Sequence, residues 1–363
     1  MKKILATILA AALGLGAWAL TGDGTSASPY QIANASDLAA MRDMVNNGTA
    51  DGKCWQLTAD ITLSGTWSPI GTTDTPFSGT FDGDGHTISG LVLSGPVEGT
   101  QLGLFGVISG TANNNYATIG DVWANGAFYE AKVAEANYTA VVKNLVLANV
   151  NVSNSSSSGS TRYTGALAGQ VKNAYVANIT VSGSVSGTKG VGGITGSLDG
   201  SVAKSCVNSA TIVASGYNVG GIAGGANYCN SLVASAFIDC SNSGSVTTTA
   251  ADGYAGGIVG MAQSGSGKCD IITGCSNSGT IHSVGASSGV GGIAGQGIAV
   301  KVISDCSNSG TITSEANVTC VGGIAGTSTS EVYDSSTTRT LRFPQITFAA
   351  STPMTAITRA WAD

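Results

Sequence analysis

The chain is poor in charge, aromatic rings and histidine. Charged residues make up 10% of its 363 positions, aromatic residues make up 6%, and the two histidines are His86 and His282. Helical solenoids need long amphipathic runs rich in Ala, Leu, Glu and Lys, so the scarcity of charge argues against them. Because the histidines stand in unrelated contexts and no Cys-x-x-Cys pair exists, we predict no Ser/His/Asp set, no metal site and no cofactor.

The amino terminus has the pattern of an export signal. Lys2 and Lys3 precede an apolar run from Ile4 to Leu20, and Ala17-Trp18-Ala19 provides a small-residue cleavage site, so residues 1–19 are predicted to be a secretory signal peptide. The formal net charge is −6 and becomes more negative once both lysines are removed, which argues against nucleic acid or an anionic membrane as a partner. The mature chain is expected to be secreted or at the cell surface, with no membrane span.

Glycine is abundant, at 53 residues, and much of it belongs to two strings that recur in phase. The first reads VGGIAG, with small variations, and occupies residues 191–196, 219–224, 255–260, 290–295 and 321–326. The second is CSNSG or a close variant and begins at Cys206, Cys240, Cys275 and Cys306. Both strings return about every 28 to 36 residues, the size of one stacking unit of a repeat protein.

Val, Ile, Ser, Thr and Asn fill most of the remaining positions, in short apolar runs bounded by turn residues, as in β-strands. Each unit is therefore predicted to be one coil of a right-handed parallel β-helix, with three strands and turns between them. A short helix near the amino terminus is predicted to cap this all-β fold.

In such a fold, one position of successive coils contacts its own copies about 4.8 Å apart, so recurring residues form columns. Amides are expected to hydrogen-bond along the axis in an asparagine ladder: Asn208, Asn242, Asn277 and Asn308. The interior is expected to hold an isoleucine column: Ile194, Ile222, Ile258, Ile293 and Ile324. The paired glycines before each isoleucine are expected to provide a bend with φ > 0.

A thiol column is formed by four cysteines: Cys206, Cys240, Cys275 and Cys306. Ile179 and Leu145 occupy the equivalent positions upstream, which predicts that the column is apolar and points inward. Stacked reduced thiols fit this position, with disulfides as the alternative in an exported chain, although parallel Cβ directions suit the disulfide dihedral badly. The pairing of the remaining cysteines cannot be read from the sequence: Cys54, Cys229, Cys269 and Cys320.

The stretch over residues 20–66 is predicted to be an amino-terminal cap that contains a strand and a helix. Ser36 is a predicted N-cap, Gly48 a predicted stop, and one apolar stripe lies between them: Leu38, Met41, Met44 and Val45. The β-helix is predicted to span residues 67–332. Residues 333–363 break the repeat and are interpreted as a divergent cap or a truncated remnant.

Residues 110–143 interrupt the strand rhythm and are predicted to leave the coil as an excursion. This segment concentrates aromatic rings: Tyr116, Trp123, Phe128, Tyr129 and Tyr138. Two interpretations remain open, a flap whose rings pack on the wall of the β-helix and a binding platform for a sugar or a peptide.

Two groups of acids were considered as chemical sites. Asp239 and Asp305 share a column with Gly274 between them, a poor placement for the paired carboxylates of a glycosidase. Asp82 and Asp84 could share a cation, but their loop has Leu93 where an EF-hand has its bidentate acid. Turn chemistry is the alternative for both groups.

Several further strings carry a family resemblance: GDGTSASPYQI at 22–32, DITL at 60–63, WSPIG at 67–71, FSGTFDGDGHTISGL at 77–91 and the GGIAG repeats. Together they resemble bacterial surface proteins with GLUG motifs, from about Gly22 to Val332. Such repeats occur in adhesin-like proteins and in non-catalytic parts of immunoglobulin A-cleaving metallopeptidases, whose HExxH motif is absent here.

The resemblance implies an extracellular stalk or binding surface. We therefore expect a secreted or cell-surface, non-catalytic protein with adhesin-like binding of a host or matrix glycan or protein. A glycan-active β-helix enzyme, either a polysaccharide lyase or a hydrolase, and a purely structural stalk of a larger surface protein are the alternatives.

Overall fold

The computed structural model describes residues 20–95, 101–112, 123–124, 127–128, 133–155, 163–227, 235–263, 270–285, 287–297, 300–315, 318, 320–328, 331–333, 336–337 and 341–342. Across these residues the chain forms three parallel sheets, one α-helix at Ala35–Asn46 and a 3-10 helix at Glu135–Asn137. The predicted signal peptide and most of the tail lie outside the described residues.

Sheet 1 is the largest, and each coil contributes short consecutive strands to it. Its strands are Tyr30–Ile32, Cys54–Leu57, Ile61–Thr62, Thr80–Asp82, Thr87–Ser89, Val92–Gly95, Ala140–Asn154, Ala174–Gly187, Val202–Lys204, Val207–Asn208, Thr211–Ala214, Ala236–Ile238, Ser241–Asn242, Val246–Thr248, Asp270–Thr273, Ser276–Asn277, Ile281–Ser283, Val300–Ser304, Ser307–Asn308, Ile312–Ser314, Glu331–Tyr333, Ser336–Thr337 and Leu341–Arg342.

Sheets 2 and 3 lie on either side of the glycine-rich string. Sheet 2 contains Tyr163–Gly165, Gly190–Gly192, Asn218–Gly220, Tyr254–Gly256, Gly289–Gly291 and Val321–Gly322. Sheet 3 contains Phe105–Ser109, Ala168–Lys172, Thr195–Asp199, Ala223–Asn227, Val259–Gln263, Ala294–Gly297 and Ala325–Ser328. A separate antiparallel hairpin pairs Trp123–Ala124 with Ala127–Phe128.

Each coil passes through sheet 3, sheet 1 and sheet 2 in turn and pairs in parallel with the next coil. Asn208 is in register with Asn242, Asn242 with Asn277, and Asn277 with Asn308. This stacking confirms the predicted parallel β-helix. The predicted three strands per coil are wrong, because the coil that begins at Thr195 has five short strands, separated by the turn between sheets 3 and 1, two corners within sheet 1 and the turn between sheets 1 and 2.

One corner within sheet 1 recurs through a left-handed backbone conformation. The residue before each Leu, Ile or Cys of the thiol-column position has a φ between 51° and 64°: Asn144, Asn178, Ser205, Asp239, Gly274 and Asp305. Glycine tolerates this region freely, and Asn and Asp adopt it more readily than most other residues do. The corner therefore explains why such different residues occupy one column.

The α-helix has its apolar stripe against the core. Leu38, Met41 and Val45 are buried, and Met44 is partly buried against the same core cluster. Asn34, rather than the predicted Ser36, is the N-cap: its Oδ1 accepts hydrogen bonds from the backbone N–H groups of Ser36, at 2.9 Å, and Asp37, at 3.1 Å. Beyond the helix Gly48 has a φ of +69°.

Candidate functional site

The excursion leaves and rejoins the coil at one place. The backbone N–H of Thr139 donates to the carbonyl of Thr111 at 3.0 Å, and the N–H of Thr111 donates to Thr139 Oγ1 at 2.8 Å. Next to this pair, Ala112 and Tyr138 form an antiparallel bridge. The segment is therefore closed at its base, and the coil resumes with the strand from Ala140.

The base of the excursion packs on the outer face of sheet 1. Tyr138 is 6% exposed, and its ring centroid lies 6.0 Å from that of Tyr175. The two rings belong to a hydrophobic cluster separate from the main core: Val133, Tyr138, Val141, Tyr175, Ala177, Val202, Ala236, Ile238 and Ile271. Tyr138 is thus a packing residue, and the platform interpretation does not hold for this ring.

An ion pair also stabilises the base of the excursion. Glu135, in the 3-10 helix, lies with Oε1 2.6 Å from Nζ of Lys143, which is also 4.0 Å from Oδ2 of Asp82. All three side chains are partly exposed, so the pair contributes at most about 1 kcal/mol. The sequence did not single out Glu135 or Lys143, whose roles depend on how the excursion folds back.

Of the other predicted ring positions, the structure describes the backbone of two. Trp123 is directly opposite Phe128 in the antiparallel hairpin, so the backbone brings these two positions together. Tyr116 and Tyr129 lie outside the described residues.

Asp82 and Asp84 form a turn. Oδ1 of Asp82 accepts from the backbone N–H of Asp84 at 2.9 Å and from Nδ2 of Asn144 at 3.0 Å. Asp84 has a φ of 50°, and its Oδ2 accepts from Nε2 of Gln56 at 3.3 Å. Among the described residues no group of three or more His, Cys, Asp or Glu side chains could hold a metal ion.

Asp239 and Asp305 are corner residues. Both have the left-handed φ that recurs at the corner within sheet 1. A Cβ at Gly274 would collide with the carboxylate of Asp239. The side chain of Asp239 therefore leans over the glycine of the next coil. Backbone geometry accounts for this column without any catalytic role.

The asparagine ladder runs through buried side chains. Nδ2 of Asn208 donates to Oδ1 of Asn242 at 2.7 Å, and the links from Asn242 to Asn277 and from Asn277 to Asn308 are both 2.8 Å long. The first three amides also donate to the carbonyl two residues ahead, on Ala210, Gly244 and Gly279.

The ladder explains the paired glycines. The second glycine of each pair faces an asparagine, and an added Cβ would collide with it: Gly193 with Asn208, Gly221 with Asn242, Gly257 with Asn277 and Gly292 with Asn308. None of these pairs has a positive φ, so the predicted left-handed bend is wrong. Close approach of the two strings, and not backbone conformation, requires glycine here.

The isoleucine column faces the core, with Ile194, Ile222, Ile258 and Ile293 buried and Ile324 partly buried. The four cysteines of the thiol column are buried thiols that do not take part in disulfides. A hydrogen bond with Cys240, together with burial, raises the pKa of the Cys206 thiol, and burial raises the pKa of Cys275. Cys54 and Cys320 are free and partly buried, whereas Cys229 and Cys269 lie outside the described residues.

No helix in the described part of the chain has the length and apolar character needed to cross a membrane. The fold and the closed excursion together define a parallel β-helical repeat protein with an inserted segment. No known family model matches the chain.

Two curated proteins are similar in sequence. Halomucin of Haloquadratum walsbyi is 30% identical over 187 residues, which are 48% of this chain and 2% of that protein. A "Putative Gly-rich membrane protein" of Evansella cellulosilytica is 36% identical over 94 residues, or 24% of this chain and 10% of that protein. The chain thus corresponds to a small part of either relative.

Among solved structures, a "putative immunoglobulin A1 protease" from Bacteroides ovatus superposes with a TM-score of 0.62 and 23% identity, over 88% of this chain and 86% of that one. At this identity the match establishes the fold.

Proposed function

We propose that the chain is an exported, non-catalytic surface protein whose β-helix presents the excursion to an extracellular glycan or protein. The observation that supports this proposal is the closed base at Thr111 and Thr139, which joins both ends of a segment rich in aromatic residues to one place on a regular coil. A regular wall repeats similar Ser, Thr and Asn side chains on successive coils, so specificity is best placed where the repeat is broken.

Three further points support the proposal. The resemblance to GLUG-motif surface proteins favours an adhesin-like role, and one of the similar sequences is named as a membrane protein. Turn geometry accounts for both groups of acids, which weighs against a glycan-cleaving site among them. Residues 1–19 have the pattern of a signal peptide, which favours export.

The experiment compares the mature chain with a variant that lacks residues 113–132, joined by a short Gly-Ser linker. This deletion keeps Val133, Glu135 and Tyr138, and with them the packing and the ion pair at the base. Both proteins are applied to an array of glycans and extracellular proteins that includes immunoglobulin A1, because the similar solved chain is named for it.

We expect the intact chain to bind at least one array member and the deletion variant, with an unchanged melting temperature, to lose that binding. Retention of binding by the folded variant would move the site to the wall. Absence of binding by the intact chain would favour the structural stalk. Turnover of a polysaccharide by the intact chain would favour the enzyme instead.

A further inference from the structure

A second feature lies at the turn between sheets 1 and 2, after the last sheet 1 strand of its coil. Tyr217 stands at this turn, between the strands Thr211–Ala214 and Asn218–Gly220, with 57% of its surface exposed. Among the described residues, Val207 and Val284 are the other large hydrophobic side chains with substantial exposure, each at 37%. A ring with this exposure gains little stability from burial in the core.

The neighbouring coils place different residues on the two sides of Tyr217. Gly190, Asn218 and Tyr254 are in register, so the residues just before them, Lys189, Tyr217 and Gly253, follow one another along the axis. Nζ of Lys189 lies 5.9 Å from the ring centroid of Tyr217, close enough for a cation–π contact. On the other side Gly253 has no side chain to cover the ring.

Tyr217 borders a depression of about 180 Å³. Its walls are Ser215, Gly216, Tyr217, Ala250, Ala251 and Asp252. Pockets for drug-sized ligands measure about 300 to 1,000 Å³, so this one has room for a single ring-sized group. It combines an aromatic ring, small apolar side chains, a hydroxyl and a carboxylate that accepts hydrogen bonds.

We propose that this depression binds one pyranose ring of a carbohydrate. The apolar C–H face of the sugar would stack on Tyr217, while Asp252 and Ser215 would take part in hydrogen bonds with its hydroxyl groups. A cationic ligand is disfavoured because the ammonium of Lys189 already occupies a position over the ring. A purely apolar ligand would make no use of the Asp252 carboxylate or the Ser215 hydroxyl.

This inference rests on the proposed binding role and gives it a ligand class. It is nevertheless tested separately, because the site lies outside the excursion and remains in the variant that lacks residues 113–132. A failure of the array experiment therefore leaves the present test intact, and the converse also holds.

The test is saturation-transfer NMR on the mature chain with five probes: methyl β-galactoside, methyl β-glucoside, methyl α-mannoside, methyl α-fucoside and methyl β-N-acetylglucosaminide. We expect saturable binding of at least one probe. Tyr217→Ala should weaken that binding about tenfold, the loss of one ring contact, and Asp252→Asn should weaken it as well. Val284→Ala, at the same turn of a later coil, is the matched control and should bind as the parent does.

Tyr217→Phe keeps the ring and should retain binding, which separates loss of stacking from loss of folding. The inference is overturned if none of the five probes binds saturably. It is equally overturned if a probe binds Tyr217→Ala as tightly as it binds the parent.

Discussion

Replacing Asn277 by Ala should break the asparagine ladder near its middle. Asn277 donates to Oδ1 of Asn308 and to the carbonyl of Gly279, and it accepts from Nδ2 of Asn242. Three hydrogen bonds are therefore lost at a site that is 1% exposed. Each contributes about 0.5 to 1.5 kcal/mol, so the expected loss of unfolding free energy is about 2 to 4 kcal/mol.

The loss should be local, because the coils of a repeat protein interact mainly with their nearest neighbours. Amide hydrogen exchange measures it at the N–H groups of Ser278 and Gly279, both of which donate to the carbonyl of Asn242. Urea denaturation gives the overall value. Ser276→Ala, one residue earlier and partly exposed, is the control and should change stability by less than about 0.5 kcal/mol.

Two results would refute the reasoning. A change no larger than that of the Ser276 control would mean that the ladder contributes little to stability. If Asn277→Ala lowers the free energy of unfolding by more than a charged substitution in the isoleucine column does, the ladder, and not the apolar interior, is the main source of stability.

Further outcomes follow from the core, the thiols and the excursion. Ile258→Asp should cost more than about 4 kcal/mol, because a carboxylate without a partner enters the core; an unchanged melting temperature would contradict the inward assignment. The raised pKa values of Cys206 and Cys275 should each lower stability by up to about 1.4 kcal/mol per pH unit above about pH 8.5, where unfolded thiols ionise while these two folded thiols stay protonated; the lowered pKa of Cys240, which lies between them, acts in the opposite direction. The Val variants of these two cysteines should flatten that slope in denaturation curves measured from pH 7 to 10, and an unchanged slope would count against a buried thiol column. Tyr138→Ala should remove about 3 kcal/mol of local packing and speed proteolysis of the excursion, while the coil stays resistant; equal protease resistance would argue against the outer cluster as its anchor.

The columns could be predicted from the sequence because stacking makes equal positions contact one another. The spacing of Asn208, Asn242, Asn277 and Asn308 was enough to predict amide links that the structure has at 2.7 to 2.8 Å. The same reasoning gave the parallel β-helix, since a period near 30 residues with little charge fits few other folds.

The remaining features depend on geometry that a one-dimensional pattern does not contain. Asn144, Ser205 and Asp239 share a left-handed backbone and little side-chain chemistry, so Asp239 looked like a candidate acid until its φ was known. Asn34 and Ser36 can both cap a helix, and the choice depends on where the helix begins, which differs by two residues between them. The excursion lacks a repeat, so neither the ion pair of Glu135 nor the packing of Tyr138 could be read from spacing.

The closed base at Thr111 and Thr139 has a consequence for how such a protein can diversify. Because both ends of the excursion meet at one pair of hydrogen-bonded residues, the length and sequence between them are released from the spacing that binds every coil to its neighbours. We expect mutations, insertions or exchanges within residues 113–132, ahead of the packed base at Val133, Glu135 and Tyr138, to leave the stack of coils undisturbed. Unrelated peptides could therefore be grafted at this position, by evolution or by design, while the β-helix scaffold stays unchanged.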